Sequence, residues 1–263
     1  MLGALGLAGI TWALIASGGD VPAVLVAAAG AAGVLLLAAF VAVELRSPGP
    51  MLPLGVFRTR QFSAANAVTF AVYAALSTVF FLLVVHLQVV AGWSPLGSGL
   101  ALVPVTACML LLSTRSGALA GRIGPRRQMS VGPLVCAAAA VWLSRVGADA
   151  DYVSDVLPGV LLFGLGLATT VAPLTVTVLA ALDDRHAGLA SGVNNAVART
   201  AGLLAVAVLP VVAGLTGADY DDPAQFAPGF RTAMLMCAGL LAAGGLLSLV
   251  TIRDDEARRT RPA

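Results

Sequence analysis

Apolar residues in this chain fall into long runs separated by short polar connections. Eight such runs can be read off, at 2–17, 23–43, 64–90, 100–113, 129–143, 156–181, 188–215 and 230–252. A soluble core does not need runs of this length, whereas ~20 apolar residues at ~1.5 Å each are what crosses a ~30 Å hydrocarbon layer. Lipid offers no partners to backbone polar groups, so each segment must satisfy its own as a helix. The pattern predicts an all-α, polytopic transmembrane helical bundle of about eight spans. The first run begins almost at Met1 without a basic n-region, which reads as a span and not as a secretory signal.

The connections divide the chain. Gly18-Gly19-Asp20-Val21-Pro22 is a tight turn, so residues 1–43 form a transmembrane hairpin. Its faces are nearly all Ala, Val, Leu and Gly, which suits a lipid-facing or packing element better than a substrate path. Residues 44–63 form a linker broken by Pro48, Pro50 and Pro53, with Leu52, Leu54, Val56 and Phe57 ahead of Arg58 and Arg60. That order suits a segment lying at the inner interface. Residues 64–252 hold six further runs, and 253–263 form a tail. Gly159, Gly164, Gly166 and the pair Gly188-x-x-x-Gly192 are expected to bring helices close, and Pro173 to kink its helix.

Charge sets the orientation. Charged residues make up 11% of the chain and hydrophobic ones 59%, with a mean hydropathy of +0.95, against roughly 25% charged in soluble domains. Arg46, Arg58, Arg60, Arg115, Arg122, Arg126, Arg127, Arg185 and the tail arginines fall on one side of the eight-span partition, and only Arg145 and Arg231 on the other. By the positive-inside rule both termini are cytoplasmic, in a cell membrane. The acidic connections carrying Asp149, Asp151, Asp155 and Asp219, Asp221, Asp222 then lie outside. The net charge of +2 comes from these edge arginines and calls for no nucleic-acid partner. Cys108, Cys136 and Cys237 lie in apolar runs without CxxC or His spacing, so no metal site or cofactor is expected. No serine elbow or clustered acid supports an enzyme.

Polar residues inside the runs are the candidates for chemistry. Arg199 lies eleven residues beyond Gly188, near the middle of a ~30 Å core, where an arginine costs about 2.5–3.5 kcal/mol and must face protein or a wet cavity. Asn195 is one turn away on the same face and Asn194 lies beside it. A transport role and a packing clamp onto neighbouring carbonyls are equally open for Arg199. His86 and Gln88 lie toward the outer end of their span; His86 titrates near neutral pH when free, and the simpler expectation is a solvated side chain. Asn66 and Tyr73, seven apart, share a helical face that suits either a pore or a packing seam.

Gly117-Ala-Leu-Ala-Gly-Arg-Ile-Gly-Pro-Arg-Arg127 reads as a short cytoplasmic loop, with Gly117, Gly121 and Gly124 permitting tight backbone and Pro125 stopping a helix. It resembles the loop signature Gly-x-Leu-Ala-Asp-Arg-x-Gly-Arg-Arg of the major facilitator superfamily, in its second-half copy. Gly117, Leu119, Ala120, Arg122, Gly124, Arg126 and Arg127 carry the match, and Gly121 stands where the family has an acid. Three more segments resemble the fourteen-helix drug:proton antiporter branch. They are Pro50-x-Leu52 with Leu54 and Phe57-Arg58-x-Arg60-x-Phe62; His86-Leu-Gln88 with Gly92-Trp-Ser-Pro-Leu96 and Gly99-Leu-Ala-Leu-Val-Pro104; and Ala187 to Arg199. In that branch the arginine follows the asparagine by three residues, whereas Asn195 to Arg199 is four.

The resemblance implies a bundle that moves small organic molecules, often drugs, in exchange for protons. It also implies that these spans are the central helix pair and the second six-helix half, with an N-terminal half as the missing partner and the home of the coupling carboxylates. The competing expectation is a truncated, non-transporting membrane remnant or an assembly module.

Overall fold

The computed structural model describes residues 1–17, 21–47, 50 and 53–254. Helices α1 (Leu2–Ala16) and α2 (Ala23–Arg46) are followed by α3 (Arg60–Val89), α4 (Pro95–Leu100), α5 (Val103–Ile123) and α6 (Pro125–Leu143). Helices α7 (Leu157–Ala180), α8 (Ala187–Val212) and α9 (Pro223–Thr251) complete the order. The architecture is all-α. The expected turn at Gly18, Gly19 and Asp20, the linker residues Pro48 and Leu52, and residues 255–263 of the tail lie outside the described residues.

Among the described residues, six segments are long and apolar enough to cross a membrane: Ala23–Arg46, Arg60–Val89, Pro95–Ile123, Tyr152–Ala180, Ala187–Val212 and Pro223–Thr251. The other two runs of the expected eight fall short for different reasons. Leu2–Ala16 has 15 residues, about 22 Å of helix at ~1.5 Å per residue. Pro125–Leu143 has 19 residues, but it opens Pro-Arg-Arg-Gln and is less apolar. Even so, α6 packs along both α7 and α9, so it runs within the bundle and not across its surface.

The packing order is α8–α3–α9–α6–α7–α5, with Phe80 on α3 also meeting Phe163 on α7. The hairpin stands apart: α1 and α2 pack on each other, and the hairpin meets the rest chiefly through α1 on α8. Small residues set the closest approaches. A Cβ at Gly166 would stand 2.8 Å from the Gly132 carbonyl, one at Gly159 2.7 Å from Leu143, and one at Gly164 2.9 Å from the Val105 backbone. Gly188 and Gly192 meet nothing within 4 Å, so that pair is not a packing seam. Helix α7 continues through Pro173.

Several boundaries correct the sequence reading. Helix α2 runs on to Arg46, which places Glu44 buried in its last turn and not in the linker. The outer turn after Trp93 is largely the short helix α4, with Ser94 accepting from the Gly97 amide at 3.1 Å as N-cap. Helix α9 begins seven residues before the expected start, at Pro223, capped by Asp222.

The largest correction concerns the glycine- and arginine-rich stretch. It is not a loop. Gly117, Leu119, Gly121 and Arg122 are helical residues of α5, which ends at Ile123, and Arg126 and Arg127 already belong to α6. Gly124 alone separates the helices, at φ +88°, a conformation that side chains resist. Pro125 starts α6 instead of ending a helix, because the first helical position needs no N–H donor.

Candidate functional site

The first element of the site is a seam between α3 and α8. On α3 the side chains of Asn66, Thr69 and Thr78 bond back to carbonyls four residues earlier, at 2.9, 3.0 and 3.0 Å. Such back-bonding lets a polar residue sit inside an apolar helix without an orphaned donor. Across the seam, Asn194 Nδ2 donates to Thr69 Oγ1 at 2.6 Å and to Asn66 Oδ1 at 3.3 Å. Asn66 is buried, so of the two readings for its face the packing seam holds at this position. About two turns further along, α8 comes close again: a Cβ at Gly202 would lie 3.3 Å from Ser77 Cβ.

In front of this seam lies a cavity of about 900 Å³. Tyr73, Ser77 and Phe81 line it from α3; Ser191, Asn194, Asn195 and Arg199 line it from α8; Thr175 lines it from α7. Leu14 and Ile15 at the end of α1 form part of the opposite wall, so the hairpin is not purely a lipid-facing element. Thr216, Gly217 and Tyr220, in the turn between α8 and α9, close the outer end. Burial, with the charge of Asp219 adding, pushes the Tyr220 phenol up, so it remains a hydrogen-bond donor across the physiological range. Tyr73 lies within the electrostatic reach of Arg199. Arg199 is exposed on the wall of this cavity.

Two other sequence candidates sit elsewhere. His86 is buried, not solvated: its ring stacks on Phe230 at 3.8 Å between centroids, and its Nε2 lies 2.9 Å from the Val146 carbonyl. An aromatic partner and a loop carbonyl displace water from a position that looked interfacial by its distance from the helix end. Gln88 is half-buried and donates to the Val84 carbonyl at 3.2 Å. Neither residue lines the cavity. Ser77, Ser191 and Thr175 do, and were not singled out. Ser191 was legible, since it precedes Asn195 by one helical turn; Thr175 was not, because nothing in α7 marks which face meets α8.

The opposite end of the bundle holds the α5–α6 junction. The Arg126 amide donates to Asp254 Oδ1 at 3.1 Å and its Nε to the Leu249 carbonyl at 2.7 Å. Gln61 at the start of α3 exchanges two bonds with the Arg253 backbone, both 3.2 Å. The starts of α3 and α6 and the end of α9 are therefore tied at one end, and the aromatic cluster of His86, Phe226, Phe230 and Tyr220 at the other.

This arrangement is an apolar helical bundle with a polar, arginine-bearing wall at mid-depth and a glycine-hinged, arginine-rich junction at one end. Residues 1–206 match the profile of the Major Facilitator Superfamily. The chain belongs to this superfamily. It is 34% identical over 177 residues to the lincomycin resistance protein of Streptomyces lincolnensis, covering 67% of this chain and 37% of that protein. It is 34% identical over 182 residues to the tetracenomycin C resistance and export protein of Streptomyces glaucescens, covering 69% of this chain and 34% of that protein. The multidrug resistance protein Stp of Mycobacterium tuberculosis is 32% identical over 172 residues, covering 65% of this chain and 32% of that protein. The aligned part thus spans about a third of these relatives. As a member of this superfamily the chain is a multi-pass membrane protein.

Proposed function

We propose that the chain supplies one half of a carrier that passes small organic molecules across the cell membrane in exchange for protons. The observation that carries this reading is the cavity of about 900 Å³ with Arg199 on its wall. An ionisable side chain held at mid-membrane against an accessible cavity marks a substrate path, since a merely structural arginine would be enclosed by carbonyls. The relatives named for lincomycin resistance and for tetracenomycin C resistance and export support this reading.

In this reading the chain belongs to the fourteen-helix antiporter branch. The hairpin of α1 and α2 is the central pair, the connection from α2 to α3 the cytoplasmic linker, α3 to α9 the second six-helix half, and 253–263 the cytoplasmic tail. Tyr73, Asn194, Asn195 and Arg199 line the substrate path, while Asn66 braces it from the seam, His86 ties α3 to the turn after α6, and Gln88 bonds back to Val84 within α3. Carriers of this superfamily rock two halves about a midplane site. The facing wall, and the carboxylate that takes up the proton, would come from the first six-helix half, on the same polypeptide or another.

The test is transport. The chain is joined to the first half of the lincomycin resistance protein, and pH-gradient-driven uptake of a fluorescent amphipathic molecule is followed in inverted vesicles. Uptake that an uncoupler abolishes and that Arg199→Ala removes is the expected result. A folded fusion without gradient-dependent uptake overturns the reading, and uptake by the 263-residue chain alone would mean that two copies pair. Orientation is tested separately: cysteines at Asp151 and Asp221 should react with an impermeant thiol reagent in intact cells, and one at Arg127 should not.

A further inference from the structure

We propose that the cavity selects amphipathic organic acids, with the anionic group of the substrate seated on Arg199. The proposal rests on reading the cavity as a transport site and adds the charge of its occupant. Arg199 is the only charged side chain among the described residues that line the cavity. Among those residues no carboxylate lies within ion-pair distance of its guanidinium and no hydrogen bond is made to it. It stands twelve residues into α8, a helix of 26 residues, so its backbone lies ~18 Å from the helix start at ~1.5 Å per residue. No counter-ion for it comes from the described residues, so an anion that enters the cavity can pair with it.

The neighbouring chemistry fits an anion and opposes a cation. A guanidinium offers two parallel N–H donors that match the two oxygens of a carboxylate, and such charge-assisted pairs are about twice as strong as neutral ones. Ser191 and Asn195 on α8 and Tyr73 and Ser77 on α3 add hydroxyl and amide donors around the same wall. Apolar side chains line much of the remainder, Leu14 and Ile15 from α1 with Leu203, Val206 and Val211 from the second half of α8, while Thr216 and Tyr220 close the end. An apolar body therefore finds its place toward the outer end while its acid reaches inward to Arg199. A cationic amphiphile would meet a like charge and no acid among the described lining residues.

The experiment measures binding and not transport. The purified chain in phosphatidylcholine nanodiscs is dialysed to equilibrium against 1-pyrenebutyrate, 1-pyrenebutanol and 1-pyrenebutylammonium, three probes of one shape and different charge. Empty discs are subtracted, and Leu203→Trp, which fills the cavity from its exposed wall, marks the specific part. The butyrate should bind about tenfold or more tightly than the alcohol, the usual margin of a hydrogen-bonded charge pair. Arg199→Gln should bring the butyrate down to the alcohol, and Arg199→Lys should keep part of the preference. Equal binding of the three probes, or a preference that survives in Arg199→Gln, overturns the charge assignment while leaving the cavity as a binding site. If no probe responds to Leu203→Trp, the cavity reading falls with it.

Discussion

Helices α2 and α3 are the two most apolar spans in the chain, nearly equal in hydropathy, yet 6% of the apolar window of α2 is buried inside the protein against 56% for α3. In water such similarity would predict similar burial. In a bilayer it does not, because lipid is as apolar as leucine and no hydrophobic force sorts one face from another. What differs is the polar content, since α2 is the richer of the two in glycine and alanine. Helix α3 buries Asn66, Thr69, Thr78 and His86, and α2 buries only Gly33 and Glu44. Between these two helices, the polar side chain marks the interior.

The strongest way to break this comparison is to insert the same clash in both regions. A Cβ at Gly166 would stand 2.8 Å from the Gly132 carbonyl and 2.9 Å from the Cys136 amide nitrogen; one at Gly33 would stand 2.7 Å from the Gly6 carbonyl and the Ile10 nitrogen. Both sites oppose backbone, which cannot step aside, so each valine should cost about 3 kcal/mol or more locally. Gly166→Val should raise hydrogen exchange throughout α3 to α9 and prevent a monodisperse preparation. Gly33→Val should raise exchange only in α1 and α2. If Gly33→Val loosened α3 to α9 as well, the hairpin would have to be counted as part of the same folding unit.

A smaller effect sharpens the role of polar residues. Asn194→Ala removes the donor that joins α8 to Thr69 and Asn66, and interhelical bonds of this type contribute about 0.6–1.7 kcal/mol. Leu35→Ala, on the lipid-facing side of α2, should stay within ~0.5 kcal/mol although it deletes more apolar surface. Thermal unfolding in detergent ranks the two, and a Thr69→Ala/Asn194→Ala double-mutant cycle isolates the seam. A coupling energy of zero would show that the seam contributes shape and no bond energy.

The smallest effect lies in the caps. Neither α1 nor α2 has a side-chain N-cap, whereas Asp151 accepts from the Val153 and Ser154 amides at 3.0 Å ahead of α7. The Ser154 amide is the main reason the Asp151 carboxyl is held below its usual range. A lowered folded value means that the cap's contribution is fully present above the unfolded carboxylate value, about 3.9, and is lost as pH falls through the folded one. Amide shifts of Val153 and Ser154 should be flat from pH 7 to pH 5 and move only below about pH 4. In Asp151→Asn they should lose that titration.

Much of the site was legible because α8 writes it as a stripe. Asn195 and Arg199 are one turn apart, and a cation at that depth has few places to go. Asn194, one residue off that stripe, touches both the cavity and the seam, which periodicity alone does not separate. Tyr73 and Asn66 share a helical face by spacing, but α8 crosses α3 between them, leaving one in the cavity and the other under a side-chain amide. For His86 the misleading cue was distance from the helix end: its surroundings are set by Phe230, 144 residues later in the chain. The stretch around Gly124 misled in the opposite way. Three glycines and a proline suggested a loop, while two of the glycines are helical and the proline begins a helix.

The length and apolarity of the runs settle that this chain lives in a membrane as helices, because a backbone surrounded by lipid has no other way to pair its polar groups. The arginine distribution gives the expectation of which helix ends share a side. Neither settles which faces meet. Leu14 and Leu35 are the same residue in equally apolar helices, and one lines the cavity while the other stands against lipid. That choice was made by backbone approaches such as Gly132 to Gly166 and by bonds such as Asn194 to Thr69. Packing of this kind depends on shape between distant segments, and shape is decided only when the helices come together.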